Sequence, residues 1–166
     1  MNQMETKQRS VYELTLISIV AALYVVVTWL VAPFAYGQFQ LRLSEGLNHL
    51  TIFNKRYIWA LSLGVLIANL ASPLGAIDIA FGTLGTLAMT SVSYWLTRHV
   101  DTVWKKLVIS TVVDAVMMWT VALEQVVVFK LPFWLSYGWL ALGELASLVL
   151  GAILIGILSK RIDLTK

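Results

Sequence analysis

Arg42, Glu45 and His49 are separated by three and four residues, with Asn48 beside them. At α-helical pitch this spacing stacks the three ionisable groups on one face. The run that holds them, Leu41 to Phe53, is otherwise mainly apolar, and the same pattern recurs downstream. Asn69 closes one apolar stretch, Asp78 opens the next, Glu124 and Gln125 lie in the last turns of another, and Glu144 sits about two turns into the last. Asp114 stands alone near the middle of its stretch. A charge at the centre of a bilayer costs about 2.5–3.5 kcal/mol on insertion scales, so each such group needs a partner, a wet cavity or a function. Carboxylates and amides accept hydrogen bonds. Glu45, Asp78, Glu124 and Glu144 against Arg42 leave an acidic excess, which suits a cationic or donor-rich ligand and opposes a carboxylate or phosphate. Each residue also has a structural reading: Arg42 with Glu45 as an ion pair, Asp78 as a helix cap, Glu124 reaching the interface. Acids and amides on several helices at one depth favour a binding site. Phe34, Tyr36 and Phe39 in one loop, and Phe133, Trp134, Tyr137 and Trp139 around another, are candidates to stack a flat ring, with Tyr36 and Trp134 foremost. The competing reading of these rings is an interfacial belt.

The elements that position these groups are membrane spans. The 166 residues are 59% hydrophobic and 13% charged, against roughly 45–50% and about 25% in soluble domains. Mean hydropathy is +0.81. Six apolar stretches occur, at about 14–32, 41–53, 57–72, 78–97, 104–129 and 135–158, with turns marked by Asn54, Pro73, Gly75 and Pro132. The expected architecture is therefore an all-α membrane protein of six transmembrane helices forming one domain over 1–166. The first stretch is too long for the roughly 7–15-residue core of a signal peptide. The second is short: at 1.5 Å per residue it reaches only about 20 Å, which implies tilt, local thinning or a re-entrant path. With the amino terminus inside, Lys7, Arg9, Lys55, Arg56, Arg98, Lys105, Lys106, Lys160, Arg161 and Lys166 are cytoplasmic, and only Arg42 and Lys130 lie outside. Both termini are then expected in the cytoplasm, and the polar groups other than Asp114 in the outer half.

Several chemistries are excluded. Cysteine is absent, which removes disulfides, thiolate metal sites and a Cys nucleophile. The basic residues fall in short clusters between apolar runs, which fits topology rather than a nucleic-acid surface. His49 reads as a packed or hydrogen-bonded residue and His99 as part of a basic turn, so no metal site is expected. The chain contains no Gly-Lys pair and hence no phosphate-binding Walker loop. No Gly-x-Ser-x-Gly turn with a basic partner is evident either. An enzyme is not expected. Small residues four apart, Ser18 with Ala22 and Gly143, Ser147 and Gly151, allow close helix approach.

The runs Pro33-Phe34-Ala35-Tyr36-Gly37, Gln40-Leu41-Arg42-Leu43-Ser44-Glu45, Gly75-Ala76-Ile77-Asp78-Ile79-Ala80-Phe81-Gly82, Pro132-Phe133-Trp134 and Gly143-Glu144 together resemble the QueT family. Gly46 and His49 depart from the alanine and smaller apolar residue that the resemblance leads one to expect after the Ser-Glu pair. The resemblance implies an S-component bundle of an energy-coupling factor transporter in a bacterial plasma membrane. It also implies capture of a queuosine precursor, a 7-deazaguanine derivative, at the outer face. The implied partners are a transmembrane scaffold protein and two ATPases, docked through small residues of the first helix, here Ser18 and Ala22. No cofactor is implied. The deazapurine would be read by Glu45, Asn69, Asp78, Glu124 and Glu144, with Arg42 meeting a ring carbonyl or orienting a carboxylate. Alternative readings are an S component for another cationic or aromatic vitamin, a secondary transporter with Asp114 and Glu144 as proton carriers, and a purely structural membrane protein.

Overall fold

The computed structural model describes residues 3–36 and 41–166, without the side chains of residues 3–7 and of Arg9. Gly37, Phe39 and Gln40, which belong to the motifs above, lie outside the described residues. All regular structure among the described residues is helical: α1 (Gln3–Leu30), the short α2 (Ala32–Ala35), a 3-10 helix (Leu43–Ile52), α3 (Arg56–Asn69), α4 (Ala76–Thr97), α5 (Val103–Met117), α6 (Trp119–Phe129) and α7 (Phe133–Leu158).

Among the described residues, four segments are long and apolar enough to cross a bilayer: Ser10–Leu30, Ala76–Thr97, Val103–Phe129 and Phe133–Leu158. The other two expected spans are shorter. α3 has 14 residues, roughly 21 Å of helix against a hydrocarbon core of about 30 Å. The stretch expected at 41–53 becomes the ten-residue 3-10 helix, also roughly 20 Å at 2.0 Å per residue. Its sequence explains part of this choice, because Ser44, Gly46, Asn48, His49 and Thr51 are weak α-helix formers. Thr51 adds a 2.7 Å hydroxyl bond to the Asn48 carbonyl three residues back. Eight of its ten residues are buried, so it is an internal element wrapped by the others.

The fifth expected span is one apolar run that breaks at Met118 into α5 and α6. Lys130 ends α6 in the left-handed region (φ 54°), and Pro132 then opens α7. Gly75, at φ 61°, makes the entry to α4, a conformation that L side chains rarely adopt.

Packing divides into two apolar clusters. Val20 and Tyr24 of α1, Leu50 and Ile52 of the 3-10 helix, Leu61 and Val65 of α3, Leu107 and Ile155 form one. Met89, Met118, Val121, Ala122 and Leu140 form the other, between α4, α6 and α7. Leu14, Leu30, Leu84, Val127 and Leu154 face outward, as lipid-facing side chains do. Lipid removes the hydrophobic drive between helices, so close approach and internal hydrogen bonds carry the cohesion. One close crossing is Gly46 on Gly151. A Cβ on Gly46 would stand 2.8 Å from the Gly151 Cα, and one on Gly151 would run into the Gly46 backbone. This accounts for glycine at position 46, where the family resemblance led one to expect alanine.

Candidate functional site

The polar residues collect in two lobes joined by Arg42. The first lies where α2, the start of α4 and the end of α3 meet. Arg42, only 6% exposed, donates from Nε to the Ala35 carbonyl at 3.1 Å and places Nη2 3.5 Å from Asp78 Oδ2. Its guanidinium stands 5.4 Å from the centre of the Tyr36 ring. The Tyr36 hydroxyl donates to the Ala68 carbonyl at 2.6 Å, and the Trp29 indole reaches the same oxygen at 3.4 Å. Burial pushes the Tyr36 hydroxyl above its ordinary pKa against the opposing pull of Arg42, so it remains a donor. Asn69 donates from Nδ2 to the Asp78 carbonyl at 2.8 Å and to Asp78 Oδ1 at 3.3 Å. That reach passes over Gly82, one turn beyond Asp78, where any Cβ would collide with Asn69 Nδ2. Glu124 of α6 is fully buried and within electrostatic reach of Asp78 and Arg42.

The second lobe is centred on Glu45. Tyr24 of α1 donates its hydroxyl to Glu45 Oε1, and Asn48 Nδ2 donates to Oε2 at 2.8 Å. Glu144 of α7, 1% exposed, lies within electrostatic reach of Glu45, Asp114 and Arg42. Asp114 of α5 accepts a 2.7 Å bond from Ser93 of α4 and has no exposed surface. Arg42 thus acts on the acids of both lobes.

Pitch decides which residues of the 3-10 helix share this site. At three residues per turn, side chains at i and i+3 eclipse. Glu45, Asn48 and Thr51 therefore form one buried stripe, and His49 turns away to a different one. The expected stack of Arg42, Glu45 and His49 is corrected accordingly. His49 instead joins three elements: its Nε2 donates to the Leu148 carbonyl of α7 at 2.9 Å, and its Nδ1 lies 2.7 Å from Ser110 Oγ of α5.

What the lobes offer a ligand is set by the atoms they leave unpaired. Asn48 Oδ1, Asn69 Oδ1, Asp114 Oδ2, both Glu124 carboxylate oxygens and Glu144 Oε1 are buried acceptors without a hydrogen-bond partner among the described residues. Arg42 Nη2, held by Asp78 through the 3.5 Å ion pair, is the matching donor that makes no hydrogen bond among the described residues. Native interiors satisfy about nine in ten buried polar groups, so a concentration of vacant acceptors is a chemical signal. The complementary molecule presents several N–H donors, one acceptor and net positive charge.

Of the residues expected to bind, Arg42, Glu45, Asn69, Asp78, Glu124, Glu144 and Tyr36 fall in or against this cluster. Trp134 does not. Its ring is 78% exposed and packs edge-on to Phe133, with centroids 5.1 Å apart. Ser18 and Ala22 lie on the exposed face of α1, the Ser18 hydroxyl turned back to the Leu14 carbonyl at 2.9 Å. Tyr24 and Asp114 were not expected in the site. Tyr24 and Thr28, four apart in the largely aliphatic second half of α1, were the signal available in the sequence.

The sequence profile of the QueT transporter family matches residues 14–160. A Lactococcus lactis subsp. cremoris (strain MG1363) protein named queuosine precursor transporter QueT is 38% identical over 169 residues, spanning 96% of this chain and 99% of that relative. No solved structure matches.

Proposed function

Because the chain belongs to the QueT transporter family, we propose that it is the substrate-capturing subunit of an ATP-driven importer and that its ligand is a queuosine precursor, a 7-deazaguanine base. The observation that carries this reading is the set of six buried acceptor atoms that have no hydrogen-bond partner among the described residues, spread over the two lobes that Arg42 joins. A deazaguanine edge offers ring N–H and exocyclic amine donors beside one carbonyl acceptor. In this reading the carbonyl meets Arg42 Nη2, and the donors meet Glu124, Asn69 and Glu144. Asp78 holds Arg42 in place, and Glu45 holds Asn48 with its carbonyl free. The Tyr36 ring, already beside the guanidinium, flanks the base, and Trp134 stays outside the pocket.

Transport requires more than this chain. With no Gly-Lys pair in its sequence, ATP hydrolysis is assigned to two partner ATPases, and a transmembrane scaffold docks against the exposed α1 face at Ser18 and Ala22. The short α3 and 3-10 helix complete six crossings in a bacterial plasma membrane, with both termini cytoplasmic and the polar cluster opening outward. A proton-coupled carrier built on Asp114 and Glu144 makes the opposite prediction, uptake by the reconstituted chain alone under a proton gradient. Such uptake refutes the subunit reading.

The direct test is calorimetric titration of the purified protein with 7-aminomethyl-7-deazaguanine. Wild-type protein binds, and Glu144→Gln and Glu45→Gln weaken binding at least tenfold while the protein remains folded. Unchanged affinity in both variants sinks the assignment.

A further inference from the structure

The two lobes differ in charge compensation, and the difference gives the ligand a direction. In the first, Asp78 meets Arg42 directly at 3.5 Å, and Glu124 lies within reach of the same guanidinium. The second gathers three acids, Glu45, Asp114 and Glu144, and among the described residues Arg42 is the cation that acts on Glu144 there. Both Glu45 oxygens are occupied, by Tyr24 and Asn48. Ser93 bonds Asp114 Oδ1 and the Asn48 side chain also interacts with the carboxylate, while Oδ2 is buried with no partner at hydrogen-bond distance among the described residues. Asn48, whose Oδ1 is also vacant, belongs to the same lobe, as does the vacant Glu144 Oε1. Three acceptors in a lobe where, among the described residues, three acids share the single cation Arg42 match a primary ammonium, which has three donors and one positive charge.

We propose that Asp114 is a specificity-determining residue: its free carboxylate oxygen receives an ammonium arm of the ligand, and the protein thereby selects precursors with a cationic arm over those with a neutral one. This inference rests on the proposed deazapurine site and adds an orientation to it, with the base edge toward Arg42 and Glu124 and the arm toward Asp114. A hydrogen bond to a charged group is worth about 1.5–3 kcal/mol, which corresponds to roughly a tenfold to 150-fold change in affinity.

The test uses two probes that differ only in the arm, 7-aminomethyl-7-deazaguanine and 7-cyano-7-deazaguanine, titrated into full-length protein. Wild-type protein is expected to bind the amine at least tenfold more tightly than the nitrile. Asp114→Asn keeps the shape and a partner for Ser93, and it should lose that preference by weakening the amine while leaving the nitrile within about threefold. Ser93→Ala removes the bond between α4 and α5 but keeps the carboxylate, so it should retain the preference. A structural role for Asp114 predicts instead that both variants lower both affinities together. Asp114→Ser stands in where Asp114→Asn does not yield a monodisperse protein. Equal wild-type affinities, or an unchanged amine-to-nitrile ratio in the Asp114 variant, overturn the inference while leaving the deazapurine site intact. Failure of the wild type to bind either probe rejects the proposed function itself, and this inference with it.

Discussion

Substituting Gly151 by alanine tests the packing that presents the polar cluster. The added Cβ meets the Gly46 Cα, carbonyl carbon and oxygen, all closer than Cβ contacts in real proteins. These are backbone atoms, so no rotamer change relieves them. The reciprocal substitution, Gly46→Ala, sets the scale: its Cβ would lie 2.8 Å from the Gly151 Cα, so reaching the 3.4 Å of ordinary contact needs about 0.6 Å of separation. Overpacking of this kind costs about 1–3 kcal/mol, beyond the roughly 1 kcal/mol that alanine contributes over glycine in a helix. For a chain of this size the melting midpoint should fall by about 2–12 °C. The 3-10 helix moves with Gly46, which also strains the 2.9 Å bond from His49 to the Leu148 carbonyl and displaces Glu45 and Asn48. Stability and ligand affinity should therefore fall together. Thermal melting followed by tryptophan fluorescence, with calorimetric titration on the same preparations, reads both. Gly138 is the control: a Cβ there meets nothing within 4 Å, so Gly138→Ala should melt no lower than wild type. If Gly151→Ala melts with Gly138→Ala and binds normally, the interlock does not position the site.

Tyr24→Phe removes the donor to Glu45 Oε1 and leaves a buried oxygen unpaired, which should cost about 1–3 kcal/mol in denaturant titration. His49→Ala should cost about as much or more by the same assay, because it breaks the links to Ser110 and Leu148 at once. Gly82→Ala should lower ligand affinity at least fivefold in calorimetry, since its Cβ takes the space of the Asn69 amide that contacts Asp78. Trp134→Ala should leave affinity within twofold, its ring being 78% exposed on a patch with Phe133 and Tyr137.

Much of the protein was legible as sequence because apolar length and composition are local properties. The uncharged run from Leu14 to Ala32, the runs 78–97, 104–129 and 135–158, and the turn residues Pro73, Gly75 and Pro132 mark the helices now seen as α1, α4, α5 with α6, and α7. The motifs from Pro33 to Glu144 were enough to identify the family, and buried polar residues could be picked out because membranes penalise them wherever they occur. Pairing could not be read in this way. Tyr24 meets Glu45 across 21 positions and Asp114 meets Ser93 across 21, while His49 meets the Leu148 carbonyl across 99. The pitch of the Glu45 segment was equally hidden. Periodicity reasoning assumes 3.6 residues per turn and puts His49 with Glu45, whereas the tertiary structure holds the segment at three per turn against α7 and separates them. The sequence by itself determined a lipid-embedded helical protein of this family with its set of buried acids. Only the tertiary structure decided which acids are already satisfied and which, like Asp114 and Glu144, keep an oxygen free. That distinction depends on contacts between helices, which no local pattern encodes.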